Sequence, residues 1–304
     1  MAASFAALRP LALWRDRAGA FSPARAAALA LAVAPALPLI DRILTGDLGA
    51  RPLTEVSHAT GLWAIRLLAV TLAVTPLIDL LRLPRLVAAR RILGVSVFVW
   101  MVAHFIVFVA DKSFDPIVVG RELVVRVYLL IGLVAFLMLG ALAATSTDGA
   151  IRRLGASTWK KLHRLVYVVA LLGLVHFFMQ SKLDVTEPTA MAGIFALLGL
   201  LRLPKRFGRP LTPTLALSLS VVAAVATALA EAGWFAFSMG APFGDVLASD
   251  FTLDIGLRPC WAPLIGGAAF VVIGLVAKYG ARRQRSARSA DGGASAAMPS
   301  ARPR

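Results

Sequence analysis

Four histidines, His58, His104, His163 and His176, lie within or at the edges of long apolar runs of this 304-residue chain, with Arg66, Arg126 and Glu231. Ionisable side chains in such surroundings are costly and are kept where they bind or transfer something. A neutral imidazole offers a nitrogen lone pair to a metal, and two imidazoles facing each other across an apolar gap are the axial ligand set of a haem iron. The single cysteine, Cys260, excludes an internal disulfide and any Cys-rich iron–sulfur or structural zinc site made by this chain alone.

The elements that must position these residues are membrane spans. Hydrophobic residues make up 59% of the chain and charged ones only 16%, far from the balance of a water-soluble domain. Runs of the roughly 20 residues needed to cross a hydrocarbon core lie near 26–44, 58–80, 92–110, 122–144, 162–180, 188–203, 213–238 and 260–279. The expected fold is therefore all-α, a polytopic transmembrane bundle of about eight spans. Pro35 and Pro38 predict a kink or an early end in the first, which reads as an uncleaved helix despite a basic segment before it.

Charge sets the orientation. Lys and Arg outnumber Asp and Glu by 32 to 16, and they cluster in alternate connections: Arg82, Arg85, Arg90 and Arg91, then Arg152, Arg153, Lys160 and Lys161, then Arg202, Lys205, Arg206 and Arg209. Basic clusters between apolar runs mark the cytoplasmic side rather than a nucleic-acid surface, so both termini are expected inside. The expected organisation is a cytoplasmic segment 1–23, a six-helix core 24–205, two further helices in 206–280, and a basic, disordered cytoplasmic tail 281–304 near anionic lipid. Leu81-Arg82-Leu83-Pro84 is echoed by Leu201-Arg202-Leu203-Pro204, which reads as a repeated stop signal.

Depth pairs two of the histidines. His104 precedes the outer end of the third span and His176 that of the fifth, at roughly 9 Å and 6 Å. They share a layer, and Gly173, one turn before His176, gives a macrocycle room. The alternative is a core histidine bonded to a helix carbonyl. His163 lies roughly 20 Å deeper and has no partner histidine at its level, so it is a second cofactor contact or a basic interfacial residue. His58 opens the second span. Arg66, near the layer of His104, needs an anion and finds no buried Asp or Glu there, which points to a haem propionate or flavin phosphate, with Arg126 as a second candidate; the alternative is snorkelling. Glu231 reads as a proton relay or an interfacial residue, and Asp245, Asp250 and Asp254 as a partner-docking face or solvated loop charge.

The ordered motifs His58-Ala59-Thr60-Gly61, Thr75-Pro76-Leu77, Arg90-Arg91-Ile92-Leu93-Gly94, Ala103-His104, Thr145-Ser146-Thr147 and Trp159-Lys160-Lys161-Leu162-His163-Arg164-Leu165-Val166-Tyr167, leading to His176, resemble the MsrQ (YedZ) family of the ferric-reductase-like transmembrane group. The resemblance runs from about residue 24 to 205. It implies a haem b subunit of the bacterial inner membrane that passes electrons to a periplasmic molybdopterin enzyme, MsrP, which reduces methionine sulfoxide in oxidised proteins. The subunit itself is then not the methionine-sulfoxide-reducing catalyst. By matching positions the resemblance gives His104 and His176 the haem-iron ligand role and His163 a required cofactor-associated role. It also implies FMN, attached to no residue here, and electrons from the quinone pool or a cytoplasmic flavin reductase. Residues from about 210 onward depart from the family pattern and put the usual partner in question.

Two other classes compete. A self-contained ferric or quinone reductase of the same superfamily usually carries a flavin and nicotinamide domain, and no GxGxxG unit occurs in this chain. A non-redox transporter or scaffold often shows paired, interrupted helices in two halves, a symmetry that this sequence lacks.

Overall fold

The computed structural model describes residues 13–15, 18–182, 184–253 and 256–296, with side chains through Gly280. In chain order the helices are α1 (Pro23–Val33), α2 (Ala36–Leu44), α3 (Pro52–Leu81), α4 (Val87–Asp111), α5 (Pro116–Val125), α6 (Val127–Ala144), α7 (Asp148–Leu154), α8 (Ala156–His163), α9 (Leu165–Ser181), α10 (Thr186–Leu200), α11 (Leu203–Arg206), α12 (Pro213–Met239), α13 (Phe243–Ser249) and α14 (Trp261–Ala296). Among the described residues, eight helical segments are long and apolar enough to cross a membrane. The fold is an all-α polytopic bundle, as expected.

Local chemistry sets the helix starts. Proline, whose missing N–H costs nothing in a first turn, opens α1, α3, α5 and α12. The side chain of Asp115 accepts from the amides of Ile117 and Val118, and that of Thr212 from Leu215. Pro35 separates α1 from α2, the predicted interruption, and the Trp100 indole N–H donates to the Ala32 carbonyl at that break, 3.0 Å away. The expected fourth span, 122–144, is corrected: Arg126 is extended (φ −104°, ψ 102°) and divides α5 from α6.

Pro76 sits inside α3 and cannot donate to the carbonyl of Leu72, four residues back. The Arg202 guanidinium bonds both that carbonyl and the carbonyl of Leu198, and lies over the Tyr167 ring at 5.8 Å. The two echoed tetrapeptides therefore differ in role. Arg82 is the left-handed C-cap of α3 (φ 55°), whereas Arg202 turns inward and repairs a proline-broken ladder in another span.

Close packing joins the helices in pairs: α3 on α4, α6 on α9, and α12 on α14 and α10. Along α12 the buried residues Ala216, Ser220, Ala223, Thr227 and Glu231 recur at three- and four-residue intervals, a stripe of mostly small side chains that lets backbones approach. A Cβ on Gly267 of α14 would stand 2.2 Å from that of Ser220, and one on Gly193 of α10 would stand 2.5 Å from the Thr227 hydroxyl. α14 runs on through Ala296, into the stretch expected to form the tail. Residues 297–304, like 1–12, 16, 17 and Asp254, lie outside the described residues.

Candidate functional site

His104 of α4 and His176 of α9 meet across the bundle. Their ring centres stand 6.4 Å apart with planes at 85°. Two metal–nitrogen bonds of about 2 Å, with about 1.1 Å from each nitrogen to its ring centre, place two imidazoles on one shared atom at about this separation.

Both rings are held in the same way. His104 Nδ1–H donates to the Ser57 carbonyl of α3 at 2.9 Å, and His176 Nδ1–H to the Tyr128 carbonyl of α6 at 2.7 Å. A carbonyl only accepts, so each proton sits on Nδ1 and the lone pair on Nε2, the tautomer a metal ligand needs. Four residues beyond each carbonyl, on the same helix face, stands a glycine. A Cβ on Gly61 would lie 3.1 Å from His104 Cε1, and one on Gly132 would lie 2.8 Å from His176 Nδ1. Each imidazole thus beds against helix backbone in a notch that any side chain would fill. The α3–α4 pair delivers one ring and the α6–α9 pair the other.

Between the pairs lies a cavity of about 520 Å³, walled largely by apolar side chains such as Leu68, Val97, Leu139 and Phe177, with His104 and His176 both on its wall. This is within the roughly 300–1,000 Å³ of sites that bury a small ligand. Gly173 also lines it, and a Cβ there would meet nothing within 4 Å, which is the room expected of that glycine. A second space of about 210 Å³ adjoins the same two histidines and reaches Lys112, Glu122 and Arg126. Among the described residues no group of three or more His, Cys, Asp or Glu surrounds a metal position. Two imidazoles beside an apolar cavity would suit an iron whose other four ligands come from a planar macrocycle.

His58 lines both spaces, and Arg126 the smaller one. Arg66 lines neither; it finds its anion in Glu187 of α10 at 3.1 Å, an exposed rather than a buried carboxylate, and lies over Trp63. The carboxylate sits in the first turn of α10, a position that span-by-span depth does not relate to α3.

His163 lies on neither cavity wall. Its ring stacks on Trp159 with centres 3.8 Å apart; Nδ1 is 3.2 Å from the Trp159 carbonyl and Nε2 is 3.4 Å from the Ser146 hydroxyl. Trp159 in turn donates to the Thr145 carbonyl at 2.9 Å, so the stack closes the C-terminal end of α6.

Glu231, expected as a proton relay or an interfacial residue, and Asp250, expected as part of a docking face or as solvated loop charge, are neither interfacial nor solvated. They are 1% and 0% exposed and share Arg258. Sequence reading missed Ser57, Tyr128 and Gly132, because a backbone carbonyl carries no side-chain signature. Gly61 was visible in the His58-Ala59-Thr60-Gly61 motif, without its purpose.

A bundle of membrane-length helices that sets two imidazoles across an apolar cavity defines a polytopic membrane protein of the ferric-reductase-like class. Residues 60–174 match the family model described as "Ferric reductase like transmembrane component". Three curated relatives are named protein-methionine-sulfoxide reductase heme-binding subunit MsrQ. The one from Caulobacter vibrioides is 36% identical over 170 residues, 56% of this chain and 81% of its own length. That of Ralstonia nicotianae is 38% identical over 177 residues (57% and 82%), and that of Rhodospirillum rubrum 38% over 179 (58% and 86%). The chain belongs to the MsrQ family. No solved structure matches it.

Proposed function

We propose that this chain is a haem b electron-transfer subunit of a bacterial inner membrane. It takes electrons from the quinone pool or a cytoplasmic flavin reductase and passes them to a periplasmic molybdopterin methionine-sulfoxide reductase of the MsrP type, for repair of oxidised proteins. The observation that carries this reading is the His104–His176 pair, spaced for one shared metal atom and held in one tautomer by two backbone carbonyls.

A haem held there supplies a one-electron carrier whose iron cycles between ferric and ferrous states. The protein does the rest. Ser57 and Tyr128 fix the rings, and Gly61 and Gly132 let them seat. Apolar walls keep water from the pair, which limits reorganisation when charge arrives. Arg42, Lys112 and Arg126, with His58, line the spaces toward the end of the bundle where α3 begins and would meet the carboxylates of the macrocycle. Arg66 acts through Glu187, a cavity-lining residue, and His163 positions the end of α6 through Trp159. FMN is assigned to no residue in this reading. The helices α12 and α14 pack on α10, outside the core that holds the pair.

The test is an optical spectrum of purified protein made with ample haem, oxidised and then reduced. A low-spin haem signature is expected in the wild type, lost in His104→Ala and in His176→Ala and kept in His58→Ala. A wild type without a Soret band, or retention of low-spin haem in either of the first two variants, would overturn the proposal. Reoxidation of the reduced protein by an MsrP-type acceptor tests the electron route separately.

A further inference from the structure

Arg258, in the segment leading into α14, donates from Nη2 to Glu231 Oε1 at 2.6 Å and from Nε to Asp250 Oδ1 at 3.2 Å. Glu231 lies on the buried stripe of α12, and Asp250 is the C-cap of α13. One guanidinium thus faces two buried carboxyls. With both ionised, a net negative charge would be buried away from the water that would otherwise solvate it.

The outward oxygens carry the inference. Glu231 Oε2 and Asp250 Oδ2 are buried and have no hydrogen-bond partner, while Nη2 and Nε of the one Arg258 guanidinium hold the two carboxyls side by side. Two acceptors set together without a donor are both satisfied by one proton, which also cancels the excess charge. We propose that Glu231 and Asp250 hold one proton in common, making with Arg258 a neutral proton-binding site that clamps the connection between α12 and α14.

The surrounding groups agree with this charge count. Burial holds the Asp250 carboxyl above the ordinary carboxylate range. The Cys260 thiol and the Trp261 indole donate to the Asp250 carbonyl at 3.2 and 3.1 Å, so they fix its backbone and make no bond to its carboxyl. Glu187 of α10 is engaged by Arg66, and Asp245 of α13 is exposed. The site lies outside residues 60–174 and does not depend on haem. It reaches the other helices through Trp234, one turn beyond Glu231, which packs on Phe178 of α9 with ring centres 6.1 Å apart.

Infrared spectroscopy of the full-length protein in lipid nanodiscs, titrated in pH, tests the proposal. A protonated carboxylic C=O band is expected to persist at neutral pH in the wild type. It should be lost in both Glu231→Gln and Asp250→Asn, because Arg258 alone neutralises the single carboxyl that remains. The folded state holds a proton that the unfolded chain releases above about pH 4, so this contribution to stability is full at acidic pH and falls as pH rises. Glu231→Gln, whose amide replaces the shared donor, should therefore lose less stability than the wild type as pH rises, so that its unfolding temperature overtakes that of the wild type in alkali. No such band in folded wild type, its retention in either variant, or an unfolding temperature that shifts with sodium or potassium at fixed pH would each overturn the proposal. If a variant fails to fold, the wild-type titration decides alone.

Discussion

Gly132 lies so close to the His176 imidazole that a Cβ placed on it would stand 2.8 Å from Nδ1. The contact follows from the His176–Tyr128 bond, because residue 132 is one helical turn from the accepting carbonyl and on the same face. Gly132→Ala must therefore push the ring off its carbonyl or strain α6, at the roughly 1–3 kcal/mol of an overpacked core. We expect haem retention to fall about tenfold or more, read as the ratio of haem absorbance to protein. Gly61→Ala, with its closest approach at 3.1 Å, should do less. Equal and full retention in both variants would remove the notch from the argument.

Arg202 repairs what Pro76 breaks. Arg202→Met leaves the Leu72 carbonyl without a donor inside the bundle, a loss of about 1–3 kcal/mol. In a Pro76→Ala background the restored amide supplies that donor, so the same Arg202 substitution should cost at least about 1 kcal/mol less. Unfolding of the four proteins in mixed micelles measures the coupling. Strict additivity would mean that the arginine serves Tyr167 or Leu198 and not the proline site.

Arg66 and Glu187 form a partly exposed pair, so their worth is modest, on the order of 1 kcal/mol or less. Arg66→Ala is expected to keep its haem content, and the reversed pair Arg66→Glu with Glu187→Arg should recover most of the stability that either single reversal loses. Loss of haem from a stably folded Arg66→Ala protein would return this residue to a direct cofactor role.

Cys260 is fully buried, and burial pushes its thiol up to about 11. Relative to a free thiol near 8.5, the thiolate fraction at mildly alkaline pH is lower by a few hundred-fold, on the order of the pKa difference. Alkylation of the native protein should be negligible at that pH and become rapid in denaturant. Because the folded pKa is raised, the neutral thiol adds stability below about pH 8.5 that is lost as pH climbs through about 11. Fast labelling of folded protein would show the α12–α14 connection to be open.

The span count and the pairing of His104 with His176 were legible because each rests on a short-range regularity. Apolar run length reports bilayer thickness, and a fixed rise per residue turns sequence position into depth. Glu231 was also within reach. It continues the stripe Ala216, Ser220, Ala223, Thr227 that faces α10 and α14, and helical spacing alone assigns it to the buried side. The break at Arg126 was hidden, because Leu123, Val124 and Val125 lead straight into the apolar run of the helix that follows.

The sequence by itself determined an all-helical membrane protein with two imidazoles in one layer, since hydrophobicity and helical rise act locally. Tertiary structure alone decided which groups answer them: the Ser57 and Tyr128 carbonyls, the glycine notches, Glu187 opposite Arg66, and Arg258 between Glu231 and Asp250. Those partners come from different helices, and depth along one helix carries no record of its rotation or its neighbours. The demand for a hydrogen-bond or charge partner is local to a residue, whereas its fulfilment belongs to the packed bundle.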